Sequence, residues 1–106
     1  MTSIFFMQYE LHPAPGNPLF AEVGGALTNC FVTAPSAQVA QTLALANFED
    51  TGWAVVGLEE APRPVVRENY ADDPEWLEYF DTASQRGACY VHYEWPAEPQ
   101  EGDAVH

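Results

Sequence analysis

The chain has 106 residues, 47% hydrophobic and 13% aromatic, with sixteen Asp and Glu against three arginines and no lysine, a net charge of −13. A chain of this length is one domain, and its apolar content excludes a disordered acidic tail. The charge argues against nucleic acid and against anionic membrane surfaces, because both are recognised through Lys and Arg, and Arg63, Arg67 and Arg86 are too scattered to form a basic stripe.

Residues 4–11 alternate in the manner of a strand: Phe5, Met7, Tyr9 and Leu11 face one way, and Ile4, Phe6, Gln8 and Glu10 the other. The segment from His12 to Pro18, with three prolines and a glycine, is expected to stop it. Leu19 to Val23 reads as a short edge strand, Gly24-Gly25 as a turn, and Leu27 to Ala34 as the second main strand.

Ser36 suits the N-cap of a first helix and Gly52 its left-handed exit. Val39, Leu43 and Ala46 make one stripe of that helix, with Leu45 and Phe48 nearly opposite. Trp53 to Leu58 is almost continuously apolar, which predicts a central strand. Glu59 to Pro64 is read as a turn and Val65 to Arg67 as a short edge strand. Asp73, Pro74 and Glu75 open a second helix, whose buried face is expected to hold Trp76, Leu77, Phe80 and Ala83, and Arg86-Gly87 close it. Ala88 to Trp95 is the last strand.

The expected fold is α+β over residues 1–96, with an acidic tail over 97–106. The element order from Leu27 onward resembles the ferredoxin-like split βαβ arrangement: a mostly antiparallel sheet with two helices on one face, plus one added N-terminal strand. The resemblance is one of architecture and implies no activity.

The N-terminus lacks a basic region before its short apolar run, and no stretch approaches the roughly 18 apolar residues of a membrane span. The cytoplasm is therefore the expected compartment, with Cys30 and Cys89 reduced and without metal-type spacing. No cofactor is expected. Gly24-Gly25 precedes no helix, and no lysine exists to neutralise a phosphate.

Three surfaces stand out. In the last strand, Cys89, Val91, Tyr93 and Trp95 alternate with Tyr90, His92 and Glu94. With helices on one side of the sheet only, the second set would share the bare face with Gln8 and Glu10. An imidazole beside carboxylates and a phenol is a candidate ligand-binding or general-base site. A Cys–His nucleophile pair would need Cys89 or Cys30 beside His92: Cys89 is disfavoured, because residues three apart on a strand face opposite sides, and Cys30 meets His92 only if their strands neighbour in a particular register. Asp72, Asp73, Glu75, Glu78 and Asp81 form a candidate acidic docking surface. They lack the alternation and glycine of a calcium loop, so no metal is expected there. Ile4, Phe6, Leu45 and Phe48 are candidate dimer contacts, because apolar residues on a second face need cover.

The expected function is thus a non-catalytic, acidic protein-interaction domain, homodimeric, docking a basic partner in the manner of an immunity or inhibitor protein. The acidity has a plainer explanation in solubility or proteome bias. The competing expectation is a small enzyme or ligand-binding domain working at Tyr90, His92 and Glu94.

Overall fold

The computed structural model describes residues 1–97; the expected acidic tail beyond Ala97 lies outside the described residues. The fold is α+β, with four strands and two α-helices: β1 Ser3–Pro13, β2 Val23–Ala34, α1 Ala37–Asp50, β3 Trp53–Val65, a 3-10 turn Arg67–Tyr70, α2 Pro74–Arg86 and β4 Ala88–Pro96. The strands form one antiparallel sheet in the order β3-β1-β2-β4.

β1 is buried on both sides. Its odd residues Phe5, Met7, Tyr9 and Leu11 enter one apolar cluster with Cys30 and Val32 of β2 and Ala40, Ala44 and Phe48 of α1. Its even residues Ile4 and Phe6 enter a second cluster with Phe31, Val65, Tyr70 and Ala83. Strand side chains alternate between faces, so α1 and α2 lie on opposite faces of the sheet. The ferredoxin-like expectation of both helices on one face is corrected by this, and the chain makes a helix–sheet–helix stack instead. The second cluster is aromatic: Phe31 meets Phe6, Tyr70 and Trp76 edge-on at centroid distances of 5.4, 5.7 and 5.7 Å, the arrangement that ring quadrupoles favour.

The helix ends form as their sequences dictate. Ser36 Oγ accepts from the Val39 N–H at 3.2 Å, and Asp73 Oδ1 from the Trp76 N–H at 3.2 Å, each satisfying a donor with no partner inside its helix. Pro74 opens α2, where a missing N–H costs nothing. Gly87 leaves α2 at φ +95°, and Gly52 follows α1 at φ +85°, both in the left-handed region that glycine enters without strain.

The middle of the chain departs from the sequence reading in three places. First, α1 buries Ala40, Ala44 and Phe48, while Val39, Leu43 and Leu45 are exposed. The small Ala40 and Ala44 let the helix settle close onto Phe5, Met7 and Tyr9, a fit that a Val–Leu stripe would prevent. Second, Trp53–Val65 is one long edge strand, not a central strand followed by a turn. Val55, Val56 and Leu58 are exposed on it; of the three register shifts in its pairing with β1, two absorb the irregular Glu59–Pro64 stretch and the third lies between Gly57 and Val55. Third, Gly24 and Gly25 lie inside β2 rather than in a turn, and residues 17–22 are turns rather than an edge strand.

One polar atom is out of balance in the second cluster. The Tyr70 hydroxyl is buried and has no hydrogen-bond partner, and burial pushes its phenol up, ahead of opposing effects of Arg63 and Glu60. A buried hydroxyl left unpaired costs about 1–3 kcal/mol. Tyr70→Phe is therefore expected to hold or raise stability, by up to about 1 kcal/mol after packing losses. Urea unfolding of the two proteins checks this, and a loss above about 1 kcal/mol would show that the hydroxyl is bonded.

Candidate functional site

The register fixes which candidates meet. Thr28 pairs with His92, Cys30 with Tyr90 and Ala26 with Glu94; in the β1–β2 ladder, Cys30 pairs with Met7 and Thr28 with Tyr9. Tyr90, His92 and Glu94 therefore lie on the α1 face. Gln8 and Glu10, of the opposite parity in β1, lie on the α2 face. The expected five-residue constellation is divided by the sheet itself. The sequence reading placed all five on one bare face, and there is no such face: each side carries a helix.

On the α1 face, His92 is half-buried. Its Nδ1 is 2.7 Å from Thr28 Oγ1, and its ring stacks on Trp53 with centroids 5.1 Å apart and planes at 22°. Trp53 belongs to β3 and His92 to β4, the two edge strands. In a flat sheet the two edge strands stand about 14 Å apart, at roughly 4.8 Å per strand, and the two residues are offset further along them. The sheet's coiling and the reach of the indole close that gap. Burial pulls the imidazole below the ordinary histidine value, with Glu94 opposing, so His92 is neutral at neutral pH. Tyr90 packs under Phe48 at 5.7 Å, and burial pushes its phenol up to about 12. Tyr90 thus packs edge-to-face and His92 stacks face-to-face.

Beside Tyr90 runs a groove between the second half of α1 and β4. Its volume is about 630 Å³, and Val32, Leu43, Ala46, Ala88 and Tyr90 line it, with Asn47 and Asp50 on its rim. α1 packs mainly across β2 and β3 and reaches β4 through Phe48 on Tyr90, which leaves the groove between them open among the described residues.

Cys30 shares the α1 face with His92 in neighbouring pairs of the ladder, but its Sγ donates to the Thr28 carbonyl at 3.9 Å while His92 meets the Thr28 hydroxyl; Cys89 lies on the opposite face. Cys30 is fully buried, and burial pushes it up to about 12. Cys89 sits on the α2 face, against the aromatic cluster, with burial first and Glu78 second pushing it up. Neither is poised as a thiolate. Among the described residues no group of three or more His, Cys, Asp or Glu is placed to hold a metal ion.

On the α2 face, Gln8 Nε2 donates to Asn29 Oδ1 at 2.8 Å, which satisfies the side-chain carbonyl of the buried Asn29. Next to this pair lie Leu27, Val91, Tyr93 and Trp95. Tyr93 and Trp95 are 44% and 39% exposed, although their strand parity matches Cys89, which is covered. Length explains the difference. A 13-residue helix spans about 20 Å, whereas an 11-residue strand spans about 36 Å. α2 covers the Ile4–Phe31 half of the face and leaves the other half bare. Trp95 lies flat on Gly25, where a Cβ would come within 2.4 Å of its ring. That is why glycine stands inside β2. Read from the sequence, the pair marks a turn; its actual reason, an indole from a strand 70 residues away, has no local signal.

The acidic residues at α2 differ in role. Asp73 is the N-cap. Asp81 takes Arg67 in a two-pronged pair at 2.9 and 3.0 Å, which holds its carboxyl below the usual range and ties the 3-10 turn to α2. Asp72, Glu75 and Glu78 are exposed. Of the candidate dimer contacts, Ile4, Phe6 and Phe48 belong to the chain's own two cores, with Phe6 1% and Phe48 0% exposed, so they are not contact residues. Leu45 is exposed on α1.

No protein-family model matches the chain, and no curated protein or solved structure matches it. Among the described residues no helix is long and apolar enough to cross a membrane.

Two outcomes test this geometry. The depressed His92 value means that the unfolded chain binds the extra proton first, so stability falls as pH drops below about 6.5, the ordinary histidine value. In His92→Gln the stability-versus-pH slope between about pH 5 and 6.5 is expected to flatten; an unchanged slope would mean that His92 titrates normally in the fold. Gly25→Ala is expected to lift the Trp95 ring and cost about 1–3 kcal/mol, with a red-shifted tryptophan emission as the readout.

Proposed function

We propose that this domain binds another protein, one with a basic face, through the strand β4 and the bare half of the α2 face. The observation that supports this most directly is the pair Tyr93 and Trp95, exposed on a rigid sheet and bordered by acids. Aromatic residues anchor protein interfaces because they bury a large area with few rotors to freeze. Around them, Tyr79 lies beside Tyr93 and Glu75, and lost hydration followed by those neighbours pushes its phenol up. Glu10 shares the face, and Glu78 lies close enough to raise Cys89. An aromatic centre with an acidic rim complements a partner that presents Arg and Lys.

The wider charge agrees. At −13, two copies repel over the whole surface, whereas a basic protein is drawn in faster. The acids at α2 (Asp72, Asp73, Glu75, Glu78 and Asp81) serve this steering collectively, and Asp81 less than the rest because Arg67 already neutralises it. Homodimer formation keeps only the exposed α1 residues, Leu45 among them, as support.

A second reading, binding of a small molecule, is favoured by one observation: the groove beside Tyr90 falls within the volume range of small-ligand sites. Its rim Asp50 would select a cationic or neutral ligand.

Affinity capture checks the main reading. Immobilised domain incubated with the proteins of its source cells is expected to retain basic proteins, with recovery falling several-fold between about 50 and 300 mM salt as screening lengths shorten. The double substitution Tyr93→Ser, Trp95→Ser is expected to abolish recovery at a temperature where circular dichroism shows the variant still folded, its unfolding midpoint lowered by the lost packing of Trp95 on Gly25. Recovery indifferent to both salt and substitution would remove this reading.

A further inference from the structure

The two edges of the sheet are not alike. β3 is guarded: Pro62 and Pro64 lie within it, Glu59 and Glu60 stand on it, and its pairing with β1 shifts register three times. These are the usual devices that stop an edge from recruiting another strand. β4 carries fewer of them, and its one register shift, between Val23 and Gly25, lies at its far end. Its nine residues contain one charge, Glu94, and no proline before Pro96, and its pairing with β2 is regular from Gly25↔Trp95 to Val32↔Ala88. Among the described residues nothing pairs its outer side.

The phase of the ladder tells which backbone groups are free. The Thr33 N–H donates to the Gly87 carbonyl at 2.8 Å. In an antiparallel ladder every second pair exchanges hydrogen bonds, so Cys89, Val91 and Tyr93 bond inward to β2. The N–H and C=O of Tyr90, His92 and Glu94 then point outward from the sheet.

We infer that the outer edge of β4 receives an extended, basic segment of the partner as a fifth strand, with alternate side chains of that segment falling into the α1–β4 groove. This inference rests on the protein-binding reading above and names its mode. The groove lies between α1 and this strand, lined by Leu43 and Ala46 of α1 and by Ala88 and Tyr90 of β4, where apolar side chains at every second position of an added strand would reach. On the other face, the same strand's remaining side chains pass beside Tyr93 and the acids of α2. Asp50 and Glu94 stand on the groove side, Glu75 and Glu78 on the other. Arg86 and His92 are the cationic or titratable groups nearest the edge, and His92 is held neutral. The local charge thus selects Lys and Arg at the outward positions, and it selects against a second copy of this acidic chain.

The test uses the full chain and three ten-residue peptides: one alternating Val and Lys, the same peptide N-methylated at alternate backbone nitrogens, and one alternating Val and Glu. Amide exchange is read by NMR. In the free protein, the amides of Tyr90, His92 and Glu94 exchange fast. With the Val–Lys peptide at ten times its dissociation constant, their exchange is expected to slow about tenfold, following 1 + [L]/Kd. Weaker binding by at least tenfold is expected of the N-methylated peptide, which keeps the charge but cannot pair, and the Val–Glu peptide is expected not to bind. Equal binding of the N-methylated peptide would overturn strand addition while leaving a basic partner in place. Equal binding of the Val–Glu peptide would overturn the basic chemistry. Absence of binding by all three, protection of the three amides in the free protein, or their protection by self-association at high protein concentration would each overturn the inference. Only failure of the salt- and Tyr93/Trp95-dependent capture would overturn the protein-binding reading itself.

Discussion

The double burial of β1 is the constraint on which this structure depends. A central strand with Phe5, Met7, Tyr9 and Leu11 on one side and Ile4 and Phe6 on the other cannot be satisfied by a single layer of helices. Its odd set is long and takes α1, together with Ala40, Ala44 and Phe48. Its even set is apolar only at its first two positions and takes α2 with the 3-10 turn. A slip of one residue in the β1–β2 register would exchange these sets and place Gln8 and Glu10 under α1. Full burial of six or seven large side chains on one strand, at roughly 1.5–3 kcal/mol each, makes that slip prohibitive in a domain whose net stability is about 5–15 kcal/mol.

The surface follows from the same pattern. After Phe6 the even residues of β1 become Gln8 and Glu10, and the face above them has no helix. Strand β2 compensates with Asn29, whose amide takes that of Gln8, and β4 fills the space with Tyr93 and Trp95. The bare half-sheet is therefore a consequence of β1 running out of apolar residues on one side before it does on the other. Glycine at position 25 completes it, by letting an indole lie against the backbone of a strand.

The electrostatics are organised around few positive charges. Arg67 is committed to Asp81, and Arg63 both to Glu60 at 2.8 Å and to the Phe6 ring at 4.7 Å. These exposed pairs are worth little individually, but they spend the chain's scarce cations on fastening the 3-10 turn and the end of β3. The rest of the surface is left anionic. Acidity and exposed aromatics consequently coincide at β4, where no cation other than Arg86 lies nearby.

What the residues alone determined was local. The caps at Ser36 and Asp73, Pro74, the left-handed Gly52 and Gly87, the alternation of β1 and β4, and the buried face of α2 were all legible, because each is decided within a few residues by hydrogen bonding, φ preference or side-chain period. The α1 stripe was misread because alanine is a weak hydrophobic signal, although at 40 and 44 it sets how closely the helix approaches. Only the tertiary structure decided which side of the sheet each helix lands on, that Trp53–Val65 lies at an edge, that Gln8 and Glu10 are parted from His92, and that Trp95 explains Gly25. Those facts depend on strand order and register. Order and register arise from contacts between segments tens of residues apart, and no local pattern encodes a partner at that distance.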